Sequence, residues 1–254
     1  MRQTAIPLKK KPKLDAISLF TGSGGLDLGI EKAGFDVRVC VEKVSDRIDT
    51  LKNNQPTYFK NAFIIQKDIS KITGKEILKA GGIGKKEVSL LIGGPPCQPF
   101  SKSAYWVENR LSEMLNDPRA SMLKEYVRII KEIMPESFIL ENVFGLKYKT
   151  AKPALDALVS SLKELGYVVT EPTVLNAADF GVPQKRQRTF VIGSKSKKLR
   201  MPDPTHAPIN SEGLKTGQLK LYTSAGDAIK DLDDNLITEK EKVKGKWGHL
   251  LPKI

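Results

Sequence analysis

The sequence has few cysteines and no long apolar run, and each shortage argues against a class of protein. Only two of the 254 residues are cysteine and no Cys-x-x-Cys pair occurs, which disfavours a disulfide framework and a structural metal site. No stretch reaches the ~18 apolar residues that a membrane-spanning helix needs, and the N-terminus lacks the apolar core of a signal peptide. We therefore expect a soluble cytoplasmic protein that binds neither a metal nor a membrane.

Acidic residues are missing from two short segments, although the chain as a whole contains 29 of them. Residues 1–13 hold five basic residues and residues 184–200 hold seven, with no acid in either, against a net charge of +13. Basic residues clustered in this way suit a polyanion such as nucleic acid. The alternative is a solvated basic surface that serves solubility.

Short apolar segments alternate with segments of helical periodicity along most of the chain. Strands are predicted at 16–20, 37–41, 63–65, 88–92, 138–140, around 168 and at 189–192. Helices are predicted at 26–33, from a cap at 116–118 to 133, at 153–165 and at 224–232, with a loop at 201–206. This alternation predicts an α/β fold with a doubly wound, mostly parallel sheet, whose ligands lie at the carboxyl ends of the strands.

A glycine-rich turn, Thr21-Gly22-Ser23-Gly24-Gly25, follows the first predicted strand and precedes a helix. Such a turn lets the backbone approach a ligand, and Glu42, at the end of the next strand, can accept hydrogen bonds from ribose hydroxyls. The third glycine of a dinucleotide motif is replaced by Asp27, which would place an acid beside a pyrophosphate. A nucleoside with a cationic tail fits better, and Asp68 can accept from its adenine amino group. A purely structural turn with surface carboxylates remains the alternative.

The two cysteines differ in their surroundings. Cys40 lies inside the apolar strand at 37–41, as a small buried residue does. Cys97 follows a strand and is flanked by Pro96 and Pro99, which restrict the backbone and present the thiol from a stiff loop. A thiol held in this way is a candidate nucleophile, because cysteine attacks readily even when only a few per cent is ionised.

Four blocks resemble, in order, the signature motifs of the DNA (cytosine-5)-methyltransferases: FTGSGG, GGPPCQPFS, ENV and QKRQR. The segment with Asp117-Pro118-Arg119, Leu123, Glu125 and Arg128 resembles the family's helix after the catalytic loop, and the likeness covers about residues 14–193. The resemblance implies a Rossmann-like fold that binds S-adenosylmethionine. It also implies methylation of cytosine C5 in double-stranded DNA, as in the restriction-modification systems of prokaryotes.

The resemblance also assigns roles to individual residues. Those implied to bind the cofactor are Phe20, Gly22, Gly24, Gly25, Leu26, Glu42 (ribose), Asp68 and Ile69 (adenine), and Pro96. Those implied to be catalytic are Cys97 (nucleophile), Glu141 (cytosine contact), and Arg186 and Arg188, which organise the site and the DNA phosphates. Arg186 is expected to hold the Glu141 carboxylate and the thiolate. Read without the resemblance, Glu141 could be a helix cap and the arginines a solvated edge.

The implied chemistry explains these residue types. A thiolate that adds to C6 of cytosine makes C5 nucleophilic enough to accept a methyl group, and Glu141 assists by hydrogen bonding at N3 and the exocyclic amine. The target base must leave the stacked duplex. Residues 101–114, with Tyr105 and Trp106, are placed to close over it, unless they form an ordinary surface loop.

Three features depart from the family pattern. Ser18 stands where the family often has an acid, and Lys43 stands where an aromatic residue often stacks on adenine. No recognisable target-recognition region or closing motif follows Gly193, so we expect a fold incomplete at its C-terminus. We accordingly expect a basic arm at 1–13, a catalytic domain at 14–200 and a connection at 201–254 towards a recognition region on a second polypeptide.

Alternatives from other classes stay open. A tRNA cytosine-5 methyltransferase shares the four blocks. A truncated, non-catalytic DNA-binding subunit would keep the basic segments without needing the thiol. A dinucleotide-dependent oxidoreductase is disfavoured by Asp27 and leaves Cys97 and Glu141 without a role.

Overall fold

The computed structural model describes residues 14–96, 121–148 and 151–230. The chain divides into two compact units, one formed by residues up to Leu175 together with Gln187–Pro202, the other by Asn176–Arg186 and the residues from Asp203 onward. The predicted boundaries at residues 14 and 201 stay a prediction.

The first unit is built from a sheet and the helices that connect its strands. The strands are β1 (Asp15–Leu19), β2 (Asp36–Glu42), β3 (Phe63–Gln66), β4 (Leu90–Gly93), β5 (Ser137–Val143), β6 (Val168–Val169), β7 (Thr173–Asn176, which reaches the unit boundary) and β8 (Gln187–Ser194). The helices are α1 (Gly25–Lys32), α2 (Ser45–Asn54), α3 (Gly74–Gly81), α4 (Ser121–Ile133) and α5 (Lys152–Glu164).

The strand order is β3-β2-β1-β4-β5-β8-β6, with β7 also paired to β8. β1 to β5 run parallel to one another, and the order reverses between β1 and β4. β8 runs antiparallel to β5, so the start of β8 lies at the same edge of the sheet as the end of β5. The prediction of an α/β, doubly wound, mostly parallel sheet is confirmed, and in such sheets ligands bind where the order reverses, here at the carboxyl ends of β1 and β4.

Two apolar cores cover the two faces of this sheet. Alternate residues of β1 point to opposite faces, because side chains alternate along a strand. Ile17 and Leu19 join the core that includes α3, α4 and α5, whereas Ala16 joins the core that includes Ile30 of α1 and Leu51 of α2. Helices thus lie on both faces, as a doubly wound fold requires.

Most predicted elements are confirmed within one or two residues. The sequence predictions miss α2, α3, β7 and the short elements Glu212–Lys215 and Lys220–Leu221, and His206 begins a strand instead of ending a loop. Helix α3 carried a readable signal, because Thr73 and Glu76 form a capping box at its start. The predicted helix cap at 116–118 lies outside the described residues.

The second unit is small. Its described elements are a 3₁₀ helix (Ala177–Phe180), β9 (His206–Ala207) paired parallel to β10 (Lys220–Leu221), α6 (Glu212–Lys215) and α7 (Ala225–Ile229). The hydroxyl of Tyr222 donates a hydrogen bond to Asp179. Across both units, none of the helices in the described ranges is long and apolar enough to cross a membrane.

Candidate active site

The turn after β1 has an unusual backbone. Phe20, Gly22 and Gly24 have φ values of 53°, 60° and 86°, all in the left-handed region. Glycine reaches that region freely, whereas a phenylalanine there is strained, and such strain concentrates at functional sites. A Cβ added at Gly22 or Gly25 would meet no atom within 4 Å, so the turn faces open space that a ligand can occupy.

Glu42 fixes this turn to the end of β2. Its carboxylate accepts hydrogen bonds from the backbone N–H groups of Gly22 at 2.8 Å, Lys43 at 2.9 Å and Val44 at 3.0 Å. The residue is only 5% exposed. Its predicted role as a ribose acceptor stays a prediction, and the structure adds that Glu42 holds in place the backbone beside which the ribose would lie.

Asp68 lies past the end of β3, near Glu42 at the same edge of the sheet. Its carboxylate accepts from the backbone and the hydroxyl of Ser70, and these hydrogen bonds, followed by the nearby Lys43 ammonium, lower the pKa of Asp68. Lys43 Nζ lies 3.3 Å from Asp68 Oδ2. The lysine that departs from the family pattern therefore pairs with the carboxylate predicted to bind adenine, while Ile69 is buried beside it.

The side chain of Asp27 does not point towards the expected ligand site at the start of α1. Its side chain is buried beneath the glycine turn, bonded to Ser18 and 3.9 Å from the Cys40 sulfur, so its charge does not face a ligand at the start of α1. The inference that Asp27 repels a pyrophosphate is therefore wrong. Its spacing of three residues from the buried Ile30 could have shown that both lie on the inner face of α1. Cys40 is buried as predicted, and burial raises the pKa of its thiol.

We predict that Asp27 makes stability depend on pH. Burial raises its pKa from 3.8 to about 6, so the folded protein retains a proton that the unfolded chain releases between those values. Stability should therefore fall as pH rises from about 4 to about 6, by at most roughly 3 kcal/mol. Asp27→Asn should remove this slope and raise the free energy of unfolding at pH 7, as measured by urea unfolding at several pH values. The exposed Asp49→Asn on α2 is the control, and an unchanged slope in Asp27→Asn would refute the prediction.

The chain leaves β4 through Gly93, Gly94, Pro95 and Pro96. A Cβ at Gly93 would lie 2.7 Å from the ring of Tyr126, whose helix packs directly against this strand. The buried Asn142 donates from Nδ2 to the Pro95 carbonyl at 3.2 Å and thereby ties the end of β5 to the proline loop. The sequence analysis gave Asn142 no role, although its position next to Glu141 on a strand predicts that it points to the opposite face.

Cys97 and residues 101–114 lie outside the described residues, so their predicted roles stay predictions. Pro96, the last described residue before Cys97, is exposed at the carboxyl edge of the sheet. The structure therefore brings the chain to this edge directly before the cysteine.

Glu141 forms an ion pair at the same edge. Its Oε1 lies 3.0 Å from Nε of Arg188, and both side chains are about one quarter exposed. The pair forms because β8 is antiparallel to β5, which sets Arg188 opposite Val143 and Phe190 opposite Glu141. Arg188, which is predicted together with Arg186 to organise the site, thus contacts Glu141, and the predicted role of Arg186 stays a prediction. Arg186 itself belongs to the second unit, where its backbone N–H donates to Asn176 Oδ1.

The basic segment at 184–200 does not form one surface. Arg188 is the second residue of β8, at the edge that carries Glu141, whereas Lys195 follows the far end of β8. The two lie roughly 24 Å apart along an extended strand. Lys195 there donates to the carbonyl of Met134. The charge cluster seen in the sequence is therefore divided between opposite edges of the sheet.

Comparisons with known proteins agree with this arrangement. The family model of the C-5 cytosine-specific DNA methylases matches residues 14–252. The chain is 39% identical to the Type II methyltransferase M.SacI of Streptomyces achromogenes, across 95% of this chain and 64% of that protein. It is 39% identical to the Type II methyltransferase M.AquIA of a Picosynechococcus species, across 85% of this chain and 88% of that protein.

A solved structure supports the fold. The crystal structure of a protein described as a DNA modification methyltransferase, encoded within an E. coli prophage, superposes with a TM-score of 0.67 at 29% identity. The match covers 87% of this chain and 56% of that one. The chain thus spans between about half and nine tenths of the proteins it matches.

Proposed function

Since this chain belongs to the C-5 cytosine-specific DNA methylase family, we propose that it methylates C5 of cytosine in double-stranded DNA, with S-adenosylmethionine as the methyl donor. The Glu141–Arg188 ion pair is the observation that carries this proposal. It sets a carboxylate at the edge where the glycine turn lies and where the chain approaches Cys97. The names of both relatives support a place in a type II restriction-modification system, and hence the cytoplasm of a bacterial cell.

The residues at the ends of β1 to β3 suit S-adenosylmethionine, which supplies an electrophilic methyl group. Phe20, Gly22 and Gly24 form the left-handed turn, which faces open space at Gly22, and Glu42 holds that turn while its carboxylate can accept from the ribose. Asp68 can accept from the 6-amino group of adenine. The residues proposed to bind the cofactor also include Gly25 and Leu26 at the start of α1, together with Ile69 and Pro96.

We propose that the thiolate of Cys97 forms a bond to C6 of a cytosine extruded from the duplex. The electron pair of the C5–C6 double bond moves to C5, which bonds the methyl carbon of the donor as the bond from that carbon to the sulfonium sulfur breaks and S-adenosylhomocysteine leaves. Loss of the C5 proton to a base and cleavage of the S–C6 bond then restore the ring. Glu141 accepts hydrogen bonds from the exocyclic amine and from protonated N3, which relieves negative charge on the ring.

Arg188 and Asn142 support this site without bonding to the reacting atoms in this scheme. The guanidinium of Arg188 orients the Glu141 carboxylate by its contact at 3.0 Å. Asn142 fixes the base of the proline loop through the Pro95 carbonyl. Arg186 is proposed to contact DNA phosphates, as its basic character suits.

The proposal is tested by transfer of labelled methyl groups to duplex DNA amplified in vitro, which carries no methylation. We expect label in DNA that is recovered as 5-methylcytosine, and none when Cys97→Ser replaces the wild-type chain. A parallel reaction with unmodified tRNA as the methyl acceptor distinguishes a DNA methyltransferase from a tRNA cytosine-5 methyltransferase. Label in tRNA without label in DNA would overturn the DNA assignment. Label in neither, with the product of a neighbouring gene also present, would favour a non-catalytic DNA-binding role.

A requirement for a second polypeptide is a separate proposal. It is supported by the lengths of the relatives. The chain aligns with 88% of M.AquIA but with 64% of M.SacI, so a shorter and a longer relative share this region. The same assay, with and without the product of a neighbouring gene, tests it. Full activity of the chain alone would refute the requirement.

A further inference from the structure

Helix α4 contacts the segment that contains Asp68 and Ile69 through the guanidinium group of Arg128. Arg128 Nη2 donates to the backbone carbonyls of Ile69 at 2.8 Å and Ile72 at 3.0 Å. Both carbonyls belong to the segment between β3 and α3, which the proposed function places beside the adenine ring. One arginine on a distant part of the chain therefore bonds this segment twice.

Two carboxylates on α4 hold the guanidinium in that position. Arg128 Nε donates to Glu125 at 2.8 Å, and Nη1 donates to Glu132 at 2.7 Å. The other oxygen of Glu132 accepts from the backbone N–H of Gly74 at 2.6 Å, at the start of α3. Arginine suits this task because its planar fork donates in several fixed directions, whereas lysine is a flexible point charge.

The approach of the two elements is close. A Cβ at Gly74 would lie 2.8 Å from Cβ of Glu132, so only glycine allows α4 to approach this near to the start of α3. On its opposite side, the segment is held by the ion pair between Lys43 and Asp68 at 3.3 Å. The segment from Asp68 to Gly74 is thus fixed from β2, from α4 and from its own Ser70 turn.

We propose that Arg128 is a positioning residue for cofactor recognition: it fixes the segment from Asp68 to Gly74 so that Asp68 meets the 6-amino group of adenine. Arg128 acts through the Ile69 and Ile72 carbonyls and does not itself contact the cofactor. This inference rests on the proposed function, because it takes the cofactor site to lie at the ends of β1 to β3.

The test compares two ligands that differ at the 6-amino group. S-adenosylhomocysteine carries that group and S-inosylhomocysteine has a carbonyl oxygen in its place, so only the first gains from a correctly placed Asp68. We expect Arg128→Met to weaken S-adenosylhomocysteine about tenfold in calorimetric titration, and S-inosylhomocysteine less than twofold. Arg128→Lys, which keeps the charge, should restore only part of the difference.

Lys152→Met is the matched control, because it removes an ion pair between Lys152 and Asp156 on the surface of α5. It should change neither affinity. Equal weakening of both ligands by Arg128→Met would show a general structural effect and would overturn the positioning role, as would no weakening at all. Failure of the wild-type chain to bind S-adenosylhomocysteine would instead count against the proposed function.

Discussion

Cys97→Ser is expected to abolish methyl transfer, with a loss in kcat of at least about a thousandfold, because a serine hydroxyl is a far weaker nucleophile than a thiolate. An oligonucleotide with 5-fluorocytosine in the target site makes the test specific. Fluorine cannot leave as a proton does, so the wild-type chain should remain covalently attached, and the serine variant should not. The adduct is measured as a shifted band in denaturing electrophoresis and located by mass spectrometry of the attached peptide.

The other cysteine provides the control for this experiment. Cys40 is buried under the glycine turn and its thiol is held protonated, so it has no access to DNA. Cys40→Ala should therefore still form the adduct, at the wild-type rate once any change in stability is allowed for. An adduct in Cys97→Ser would contradict the assignment of the nucleophile.

Glu141→Gln is expected to lower kcat by roughly 10² to 10⁴, the range typical of a lost general acid–base contact. The amide is similar in size but cannot accept at both positions, and it leaves the guanidinium of Arg188 without its ion pair. The affinity for S-adenosylhomocysteine should change less than twofold, because all the proposed cofactor residues except Pro96 lie at or after the ends of β1 to β3, whereas Glu141 lies on β5. Single-turnover methylation and calorimetry measure the two quantities.

A surface variant shows whether that loss is specific. Glu164→Gln changes an exposed glutamate at the end of α5 and should leave both the rate and the affinity unaltered. Retention of more than half of the wild-type kcat by Glu141→Gln would contradict a role at the cytosine ring. A matching loss in cofactor affinity would point to a structural effect on the whole edge of the sheet.

The elements that local patterns define could be predicted from the sequence. The strands at 16–20 and 37–41 are short apolar runs, and the glycine turn between them is a local signal, so the cofactor half of the site followed from neighbouring residues. Glu42 was identified because it ends a strand at a suitable distance from that turn. The structure places its carboxylate on Gly22, within the same local region.

The contacts that depend on strand direction or helix packing could not be predicted in this way. Only the antiparallel register of β8 shows that Arg188 comes within reach of Glu141, because it sets Arg188 opposite Val143 and Phe190 opposite Glu141. Arg128 and Glu125 lie in a helix that resembles one of the family's helices. No local pattern indicates that Arg128 donates to the carbonyls of Ile69 and Ile72, which precede it by 59 and 56 residues. The motif spacing alone does not show that Asp27 lies on the buried face of α1, because that face is set by packing against the sheet.

The antiparallel pairing of β8 with β5 also bears on the order in which the site forms during folding. The hydrogen bond from the backbone N–H of Gly22 to the carboxylate of Glu42 closes a loop of only 20 residues, whereas the bond from the Thr189 hydroxyl to the Val143 carbonyl closes one of 46. Closing a longer loop costs more chain entropy, and non-local pairings form late. As the chain emerges N-terminus first, the cofactor turn is complete before β8 is made. The carboxylate of Glu141 therefore acquires its cationic partner after the cofactor turn has formed.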